Sequence, residues 1–345
     1  SSIKPSDTAA LIYTSGTTGN PKGVVLTHDN FEFEIWSVQQ VTRYNQGDGY
    51  VSWLPCAHVF GQLADNHIWI RDAMHMRVVD NPLHSIDYCK EVQPHLFIGV
   101  PRIYEKVYSN LMAGLGSKLK LLRVPVLGGI IRKKARAAIG FSNTKYAITG
   151  AAPINPDILN LFQKLGIPLY EGYGMTETVS GCCAIHFETD KVGIGLPGPG
   201  VEMKLVPTGE RYEPRLPGPM LMQGYLDEPE KTAAAFDEEG YYRTGDLVVF
   251  HDRDDPAQGL AFAGRMAEEF KLSNGTWVYG GQMRDKLLKT LNEELAEIVL
   301  ADDGAPFLGL LAWPKPGTSL DAIAAKLAEF NEGQRGGAAK IRRVT

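Results

Sequence analysis

The sequence has few cysteines and no long apolar run. Its four cysteines, Cys56, Cys89, Cys182 and Cys183, form no C-x-x-C pair among 345 residues. This usage excludes a disulfide scaffold and favours a reducing cytosol. No apolar stretch reaches the roughly 18 residues of a membrane span, and the N-terminus lacks the layout of a signal peptide.

An excess of positive charge is also missing. The formal net charge is −5, which argues against a nucleic-acid partner. The sequence contains no G-x-x-x-x-G-K-[ST] loop and no H-R-D or D-F-G motif, so it matches neither a P-loop NTPase nor a protein kinase.

Short apolar strands alternate with amphipathic helices through the first half of the chain. The predicted strands are residues 9–13, 23–26, 50–54, 95–100 and 146–149, and the predicted helices are residues 31–41, 85–92, 102–112 and 156–165. Helix N-cap residues occur over 27–30. This alternation predicts an α/β fold with a largely parallel sheet.

The second half divides differently. Glycine and proline become dense from Val192, which predicts a β-rich subdomain over residues 192–264 of a large domain, 1–264. A small α+β lid domain is predicted over residues 265–345. Its predicted helices are 283–295 and 320–330, its strands are 276–279, 297–300 and 307–313, and its glycine-rich tail, 331–345, is expected to be mobile.

One loop carries most of the chemistry. "YTSGTTGNPKGVVLTH", from Tyr13 to His28, places glycines, hydroxyls and Lys22 between two apolar strands. Glycines let backbone N–H groups approach an anion, hydroxyls add donors, and lysine adds positive charge. We therefore expect a polyphosphate site, in preference to a solvated linker.

The stretch YTSGTTGNPKGV resembles the signature phosphate-binding loop of the adenylate-forming (ANL) superfamily, which includes AMP-binding acyl- and aryl-CoA synthetases, luciferases and peptide-synthetase adenylation domains. Further motifs follow in the family's order. They are GAAP at 150–153, YEGYGMTET at 170–178, YYRTGDL at 241–247 and Gly264-Arg265 at the interdomain hinge. The resemblance covers nearly the whole chain and implies the ANL fold, with both ends of the chain truncated.

The resemblance also implies a role for each motif residue. The β- and γ-phosphates of ATP would lie against Thr14, Ser15, Gly16, Thr17, Thr18, Gly19 and Lys22. The adenine side would be formed by Gly150, Ala151, Ala152, Glu171, Gly172, Tyr173, Gly174 and Met175, with Tyr173 stacked on the base. Thr176 would donate to the α-phosphate, and Glu177 would bind Mg²⁺. Asp246 would accept from the ribose hydroxyls, and Arg265 would contact the ribose or phosphates. Each of three residues also has a purely structural alternative. Glu177 could be a carboxylate at the start of a helix, Tyr173 a tyrosine of the core, and Asp246 an aspartate of a turn.

The implied reaction is ATP-dependent ligation of a carboxylic acid to coenzyme A (CoA) through an acyl-adenylate. LPCAHVFG at 54–61 resembles the motif whose histidine, His58, gates the acyl pocket, although a purely structural histidine is the alternative. Lys22, His58, Thr176 and Glu177 are the implied catalytic residues. IGVPRIYEKVY at 98–108 is most similar to long-chain fatty acyl-CoA synthetases, whereas GRMAEEFKLSNGTWV at 264–278 is closer to feruloyl-CoA synthetases.

Several functions therefore stay open. A fatty acid is the favoured substrate, and an aryl (feruloyl-type) CoA ligase is the alternative. Two further alternatives are a fatty acyl-AMP ligase and a catalytically impaired nucleotide-binding homologue. The family's long segment before the phosphate loop and its C-terminal Gly-Lys motif are both missing here, so we expect weaker adenylation than in a longer enzyme.

A basic segment, residues 117–136, contains seven lysines and arginines and no acidic residue. Its remaining residues are rich in leucine, isoleucine and valine, which suits contact with anionic lipid. A solvated helical face is the alternative, and Pro125 and Gly128-Gly129 are expected to break any single long helix. The predicted location is cytoplasmic, with peripheral contact at the inner membrane face.

Overall fold

The structure is a computed structural model that describes residues 2–14, 20–180, 184–185, 193–274, 277–291, 294–301, 306–334 and 340–345. The chain forms two compact units. The first unit contains Ser1–Val206, Arg215–Thr244 and Phe250–Ala261, and the second contains Pro207–Pro214, Gly245–Val249 and Phe262–Thr345. The predicted domain boundary at Gly264-Arg265 stays a prediction.

The helices of the described ranges are distributed along the whole chain. They are α1 (His28–Val41), α2 (Val59–Gln62), α3 (Trp69–Arg71), α4 (Ser85–Val92), α5 (Pro101–Leu115), α6 (Pro125–Ala138), α7 (Pro156–Lys164), α8 (Pro229–Ala235), α9 (Gly280–Thr290) and α10 (Leu320–Glu332). A π-helix, Leu63–Ile68, joins α2 to α3. Short 3₁₀ helices occupy Pro82–His84, Gly116–Arg123, Thr176–Thr178, Pro256–Gln258 and Met266–Glu268.

The strands are short, as expected for an α/β protein. They are β1 (Thr8–Thr14), β2 (Lys22–Thr27), β3 (Gly49–Ser52), β4 (His75–Val78), β5 (Leu96–Gly99), β6 (Tyr146–Thr149), β7 (Leu169–Tyr173), β8 (Ala184–Ile185), β9 (Lys204–Thr208), β10 (Arg211–Leu216), β11 (Gly224–Tyr225), β12 (Tyr242–Arg243), β13 (Asp246–Phe250), β14 (Leu260–Arg265), β15 (Glu269–Lys271), β16 (Trp277–Tyr279), β17 (Leu295–Ala301), β18 (Leu308–Pro314) and β19 (Ile341–Val344).

A six-stranded sheet in the order β4-β3-β5-β6-β7-β8 organises the first unit. All of its neighbouring pairs are parallel except β7 with β8. Successive residues of β5 face opposite sides. Phe97 packs in one buried apolar cluster, while Leu96 and Ile98 pack in another. Both faces of the sheet are therefore covered, as is typical of parallel sheets, and the predicted α/β fold is confirmed.

A second sheet of the first unit, β1-β2-β11, carries the sequence around the glycine-rich loop. Helix α1 follows β2 directly and begins at His28, three residues before the predicted start. Thr27 and Asn30 form a reciprocal capping box, which agrees with the predicted N-cap residues. The side-chain amide of Asn30 also donates to the carbonyls of Pro219 and Leu221, at 2.7 and 2.9 Å. The helix start thereby ties β2 to the segment that leads into β11.

The region predicted to be β-rich contains no helix over residues 193–224, all of which the structure describes. Within the first unit, β12 pairs with Arg215 and Leu216 of β10. Within the second unit, Tyr212 of β10 pairs with Val248 of β13. Residues 193–224 therefore consist of short strands and turns, in agreement with their glycine and proline content, whereas α8 (Pro229–Ala235) lies within the rest of the region predicted to be β-rich.

The second unit has its own buried apolar cluster, which includes Leu287, Ile298, Leu310 and Ile341. Its β17-β18-β19 sheet corrects two predictions. Helix α9 ends at Thr290 rather than Leu295, because Leu295 already pairs with Pro314 in β17–β18. The tail was expected to be mobile, but α10 continues to Glu332, and Ile341–Val344 forms β19, parallel to β18. Residues 335–339 of that tail lie outside the described residues.

The basic segment is interrupted at Pro125, as predicted, because the 3₁₀ helix Gly116–Arg123 ends just before it and α6 begins there, but its glycines differ from the prediction. Gly128 and Gly129 lie inside α6 rather than breaking it. A Cβ atom on Gly128 would lie 2.5 Å from the Leu122 carbonyl oxygen, so glycine permits the close approach of the preceding 3₁₀ helix. None of the described helices is long and apolar enough to cross a membrane.

Candidate nucleotide-binding site

The two residues that flank the predicted phosphate loop, Thr14 and Lys22, are paired with each other in the β1–β2 hairpin. Ser15, Gly16, Thr17, Thr18 and Gly19, predicted to bind the phosphates, lie outside the described residues. The hairpin brings the chain back so that Lys22 stands opposite the last residue of β1. Its ammonium group lies 4.8 Å from the centre of the Tyr225 ring.

Glu177, the predicted magnesium ligand, lies close to the same tyrosine. It occupies the short helix Thr176–Thr178, and its backbone carbonyl accepts a hydrogen bond from the amide of Met222 at 2.9 Å. The Tyr225 hydroxyl donates to Glu177 Oε1, also at 2.9 Å. Tyr225 therefore contacts both Lys22 and Glu177, so the structure brings these two predicted residues to one place. Thr176 beside Glu177 is buried.

The side chains around Glu177 suit a metal bound jointly with a nucleotide. Among the described residues, no cluster of three or more His, Cys, Asp or Glu side chains is arranged to hold a metal ion. Mg²⁺ in nucleotide sites is commonly held by one or two carboxylates together with substrate phosphates. A single glutamate near the phosphate-loop lysine fits this pattern, with the phosphates supplying the remaining ligands.

The adenine-side residues gather at the carboxyl edge of the parallel sheet. Thr149 at the end of β6 pairs with Glu171 in β7, so the turn Gly150–Ala152 starts beside the strand that carries Glu171, Gly172 and Tyr173. Gly174 and Met175 follow that strand. A Cβ atom on Gly150 would lie 3.4 Å from the carbonyl oxygen of Gly172. This edge of an open α/β sheet is where ligands bind.

Glu171 holds the turn against the strand. Its Oε1 accepts the backbone N–H of Ile154 at 3.2 Å. The side chain is buried, which raises the pKa of the Glu171 carboxyl to about 7, while the hydrogen bond from Ile154 opposes the shift. Ala151 within the turn has a φ of 69°, in the left-handed region that non-glycine residues rarely adopt. Glu171 therefore stabilises a constrained turn.

His58, the predicted acyl-pocket residue, caps α2 near the end of β3. Its Nδ1 accepts a hydrogen bond from the backbone amide of Phe60 at 3.3 Å. Partial burial lowers the pKa of the His58 imidazole. The neutral ring is therefore favoured at physiological pH. A Cβ atom on Gly150 would lie 3.3 Å from the Phe60 ring, so the His58 turn lies beside the adenine-side turn.

Asp65 in the π-helix forms hydrogen bonds with β3, the strand that leads into the His58 turn. The carboxylate accepts the Tyr50 hydroxyl at 2.7 Å and the Ser52 hydroxyl at 2.6 Å. The Cys56 thiol lies 3.8 Å from the same carboxylate. Asp65 is 5% exposed, so this network fixes the helical segment against β3, whose end leads into the His58 turn.

The two remaining predicted residues belong to the second unit. Asp246 begins β13 and is buried, and its Oδ1 lies 3.1 Å from Nε of Arg265 at the end of β14. The preceding amide, Gly245 N–H, donates to Glu213 Oε1 at 3.2 Å. Asp246 and Arg265 are thus brought together as an ion pair within that unit. The ribose role predicted for Asp246 stays a prediction.

Sequence reasoning missed Tyr225, Tyr242 and Asp65. Tyr242 lies within YYRTGDL, but only the aspartate of that motif was assigned a role. Tyr225 follows Gly224 in a two-residue strand and pairs with Val24 of β2. No local pattern places it beside Glu177, because the contact depends on β11 joining β2 across about two hundred residues.

Comparisons with known proteins agree with the motif reading. A family model described as AMP-binding enzyme matches residues 1–226. The chain is 31% identical over 281 residues to the putative fatty-acid–CoA ligase fadD11 of Mycobacterium tuberculosis, covering 71% of this chain and 48% of that protein. It is 29% identical over 347 residues to human long-chain-fatty-acid–CoA ligase 6, covering 91% and 49%. The chain thus spans about half the length of these curated relatives.

Solved structures support the fold. O-succinylbenzoate coenzyme A synthetase (MenE) from Bacillus subtilis, in complex with AMP, has a TM-score of 0.74 at 24% identity, covering 99% of this chain and 66% of that chain. An ATP-bound RpMatB-BxBclM chimera has a TM-score of 0.76 at 23% identity, with 99% and 64% covered. These likenesses confirm the predicted adenylate-forming fold. Since the family model matches more than half of the sequence, the chain belongs to the AMP-binding enzyme family.

Proposed function

We propose that this chain carries the nucleotide-binding core of an ATP-dependent acid–CoA ligase that activates a fatty acid. The observation that carries the proposal is the contact of one tyrosine, Tyr225, with both Lys22 and Glu177, which brings a cation and a carboxylate to one side chain. The first step brings an anionic acid to an anionic triphosphate, so charge neutralisation and positioning dominate it.

The proposed reaction has two steps. A carboxylate oxygen attacks the α-phosphorus of ATP, which forms an acyl-adenylate and releases pyrophosphate. The sulfur of CoA then attacks the acyl carbon, forming a thioester and releasing AMP. Lys22 would bind the phosphates and Thr176 would donate to the α-phosphate. Glu177 would hold Mg²⁺, which would offset negative charge on the phosphates. Asp246 and Arg265 would contact the ribose.

The substrate class is proposed from the relatives. Several curated proteins that match this chain are named as long-chain-fatty-acid–CoA ligases. This naming favours a fatty acid over an aryl acid, which the segment from Gly264 to Val278 suggested. The neutral imidazole of His58 would lie at the acyl side of the site.

The test is a product analysis. We would incubate the purified chain with ATP, Mg²⁺, CoA and a mixture of saturated fatty acids and aryl-propenoic acids, and identify products by mass spectrometry. We expect fatty acyl-AMP without CoA and fatty acyl-CoA with it. Glu177→Gln should reduce product formation about a hundredfold, because a metal ion contributes several kcal/mol of charge stabilisation.

Glu202→Gln is the matched control, since Glu202 also accepts a tyrosine hydroxyl, that of Tyr241 at 2.8 Å, outside the proposed site. It should leave product formation unchanged. Aryl products alone would indicate an aryl-CoA ligase. Acyl-AMP without any acyl-CoA would indicate an acyl-AMP ligase. Saturable ATP binding without acid-dependent product would indicate a nucleotide-binding homologue and contradict the proposal.

We also propose a cytoplasmic location with peripheral contact at the inner membrane face. The basic segment supports it, because Lys118, Lys120, Arg123, Lys133 and Lys134 are exposed. None of these five has an ion-pair partner among the described residues. Val126, Leu127 and Ile130 of α6 are also exposed. Cations beside exposed apolar side chains suit an anionic lipid surface.

A further inference from the structure

Tyr225 occupies a junction within the proposed site. Its backbone pairs with Val24, two residues after Lys22, and its amide donates to the Thr232 hydroxyl at 2.9 Å. Tyr225 is 7% exposed as a residue. Its ring lies under the Lys22 ammonium, while its hydroxyl donates to Glu177. The same side chain thus contacts the groups proposed to bind phosphate and metal, through two different parts of its structure.

The position of Tyr225 is fixed by close packing. Gly224 has a φ of 152°, and a Cβ atom there would lie 2.8 Å from Cγ2 of Thr232. Only glycine allows the strand to approach α8 so closely in this conformation. The backbone is therefore held on one side by β2 and on the other by α8, so the tyrosine side chain starts from a defined point.

The direction of the hydrogen bonds is also defined. In the 2.9 Å bond between Tyr225 and Glu177 Oε1, the phenol donates and the carboxylate accepts. A side-chain hydrogen bond also joins Tyr242 to Tyr225. A phenol has one proton, and the Tyr225 proton points to Glu177. A chain of donors therefore runs from Tyr242 through Tyr225 to the carboxylate.

We infer that Tyr225 is a positioning residue that orients Glu177 for Mg²⁺ and holds Lys22 for the phosphates of ATP. The inference rests on the proposed function and adds a residue to it. The hydrogen bond from Tyr225 to one oxygen of Glu177 fixes the orientation of the carboxylate. Residues that hydrogen-bond to metal ligands commonly have this effect. The aromatic face attracts the Lys22 cation and restricts where its ammonium group lies.

The two halves of the side chain can be tested separately. Tyr225→Phe keeps the ring and removes the hydroxyl. We expect it to weaken Mn²⁺ binding to the protein–ATP complex about tenfold, measured by electron paramagnetic resonance of free Mn²⁺. Binding of metal-free ATP, measured calorimetrically in the presence of EDTA, should stay unchanged. Tyr225→Leu removes the ring as well and should weaken both kinds of binding.

Two further variants complete the experiment. Tyr242→Phe removes the donor to Tyr225 and should produce a smaller loss of Mn²⁺ affinity in the same direction. Tyr241→Phe removes the analogous bond to Glu202 and should leave both affinities unchanged. Circular dichroism checks that each variant is folded.

The outcomes separate the inference from the proposed function. If the unaltered protein binds Mn²⁺–ATP but Tyr225→Phe and Tyr242→Phe bind it equally well, the positioning role is wrong while the proposed function stands. An equal loss of metal-dependent and metal-free binding in Tyr225→Phe would also overturn the role, since it would indicate general damage to the site. If the unaltered protein binds no ATP, the proposed function itself fails, and the inference fails with it.

Discussion

At the scale of single residues, Glu171 has the least ordinary environment of the predicted site. Glu171 is 8% exposed as a residue, and burial raises the pKa of its carboxyl from 4.5 to about 7. It accepts the Ile154 amide, so it stabilises the turn that the resemblance assigns to adenine. A carboxyl with this pKa changes charge within the physiological range and couples the turn to pH.

The pH dependence of stability follows from this shift. The folded state binds more protons than the unfolded state between pH 4.5 and about 7, so stability falls as pH rises through this window. At about 1.4 kcal/mol per pKa unit, the full effect is about 3 kcal/mol. Glu171→Gln keeps a hydrogen-bond acceptor for Ile154 but does not titrate. As pH rises from 4.5 to about 7, its free energy of unfolding should therefore increase by up to about 3 kcal/mol relative to that of the unaltered protein.

Urea unfolding at pH 5, 6 and 7.5 would measure this difference. Glu171→Ala is the companion variant, because it also removes the titration but leaves the Ile154 amide without its acceptor. It should be less stable than Glu171→Gln at every pH by about 1–3 kcal/mol. A difference between Glu171→Gln and the unaltered protein that stays constant with pH would contradict the prediction.

At the scale of elements, the π-helix Leu63–Ile68 follows the turn that carries His58, the residue proposed to lie at the acyl side. π-helical turns are rare and frequently occur at functional sites. This one places the Asp65 carboxylate against the hydroxyls of Tyr50 and Ser52 on β3. A Cβ atom on Gly61 would lie 2.5 Å from the Pro55 carbonyl oxygen. Gly61 belongs to α2, so the helix that leads into the π-helix packs tightly on the turn that carries His58.

Removing the carboxylate should loosen this region. Asp65→Ala leaves two buried hydroxyls without their acceptor, and each such loss costs about 1–3 kcal/mol. We expect a loss of about 3 kcal/mol in the free energy of unfolding, measured with urea. Asp87→Ala, which removes an exposed carboxylate from α4, should produce no comparable loss.

A double-mutant cycle of Asp65→Ala with Ser52→Ala tests the proposed cause. Because the two side chains share a hydrogen bond, the losses should not be additive, with a coupling energy of about 1 kcal/mol or more. Additive losses would indicate that Asp65 acts through packing rather than through the hydroxyls of β3.

At the scale of the whole molecule, charge is unevenly distributed. The protein carries a net charge of −5, yet residues 117–136 contain only basic charged residues. Arg132 and Arg136 donate to backbone carbonyls, including those of Lys164 and Ser142, so these two arginines support the fold. The exposed cations of this segment are the ones available for an anionic surface.

The exposed cations of residues 117–136 should make the protein bind vesicles that contain anionic lipid. The chain should sediment with vesicles containing phosphatidylglycerol and not with vesicles of phosphatidylcholine alone. Each lysine near an anionic surface contributes about 1 kcal/mol, so Lys133→Gln with Lys134→Gln should weaken binding roughly 30-fold. Binding should also weaken at 1 M salt, where the screening length falls to about 3 Å.

Lys286→Gln with Lys289→Gln changes the net charge equally on the exposed surface of α9 and serves as the control. It should retain nearly full binding. Equal losses in the two double variants would show that overall charge, rather than the basic segment, governs lipid contact.

Local patterns in the sequence predicted much of the fold. The strand Tyr146–Thr149 and the helix Ser85–Val92 have the predicted bounds, because their apolar residues recur with a clear period between turn signals. Roles for Lys22 and Glu177 were predicted as well, Lys22 from its glycine- and hydroxyl-rich loop and Glu177 from the resemblance of its motif, and both roles stay predictions.

Features that depend on distant partners could not be predicted in this way. Ile341–Val344 becomes a strand because it pairs with β18, although its glycine-rich surroundings suggested mobility. Gly128 stays helical because close packing against Leu122 outweighs its low helix propensity. The same limitation hid Tyr225, whose neighbours are set by strand pairing rather than by local sequence.

The pairing of β11 with β2 also has a kinetic consequence. The β1–β2 hairpin closes over a few residues, and hairpins form within about 1–10 μs. Tyr225 is far from Lys22 along the chain, and contacts of high sequence separation form more slowly. A nascent or refolding chain would therefore possess its phosphate loop well before it possesses the tyrosine that joins lysine to glutamate. Nucleotide binding would be acquired late in folding, so ATP would select chains whose first unit is already assembled.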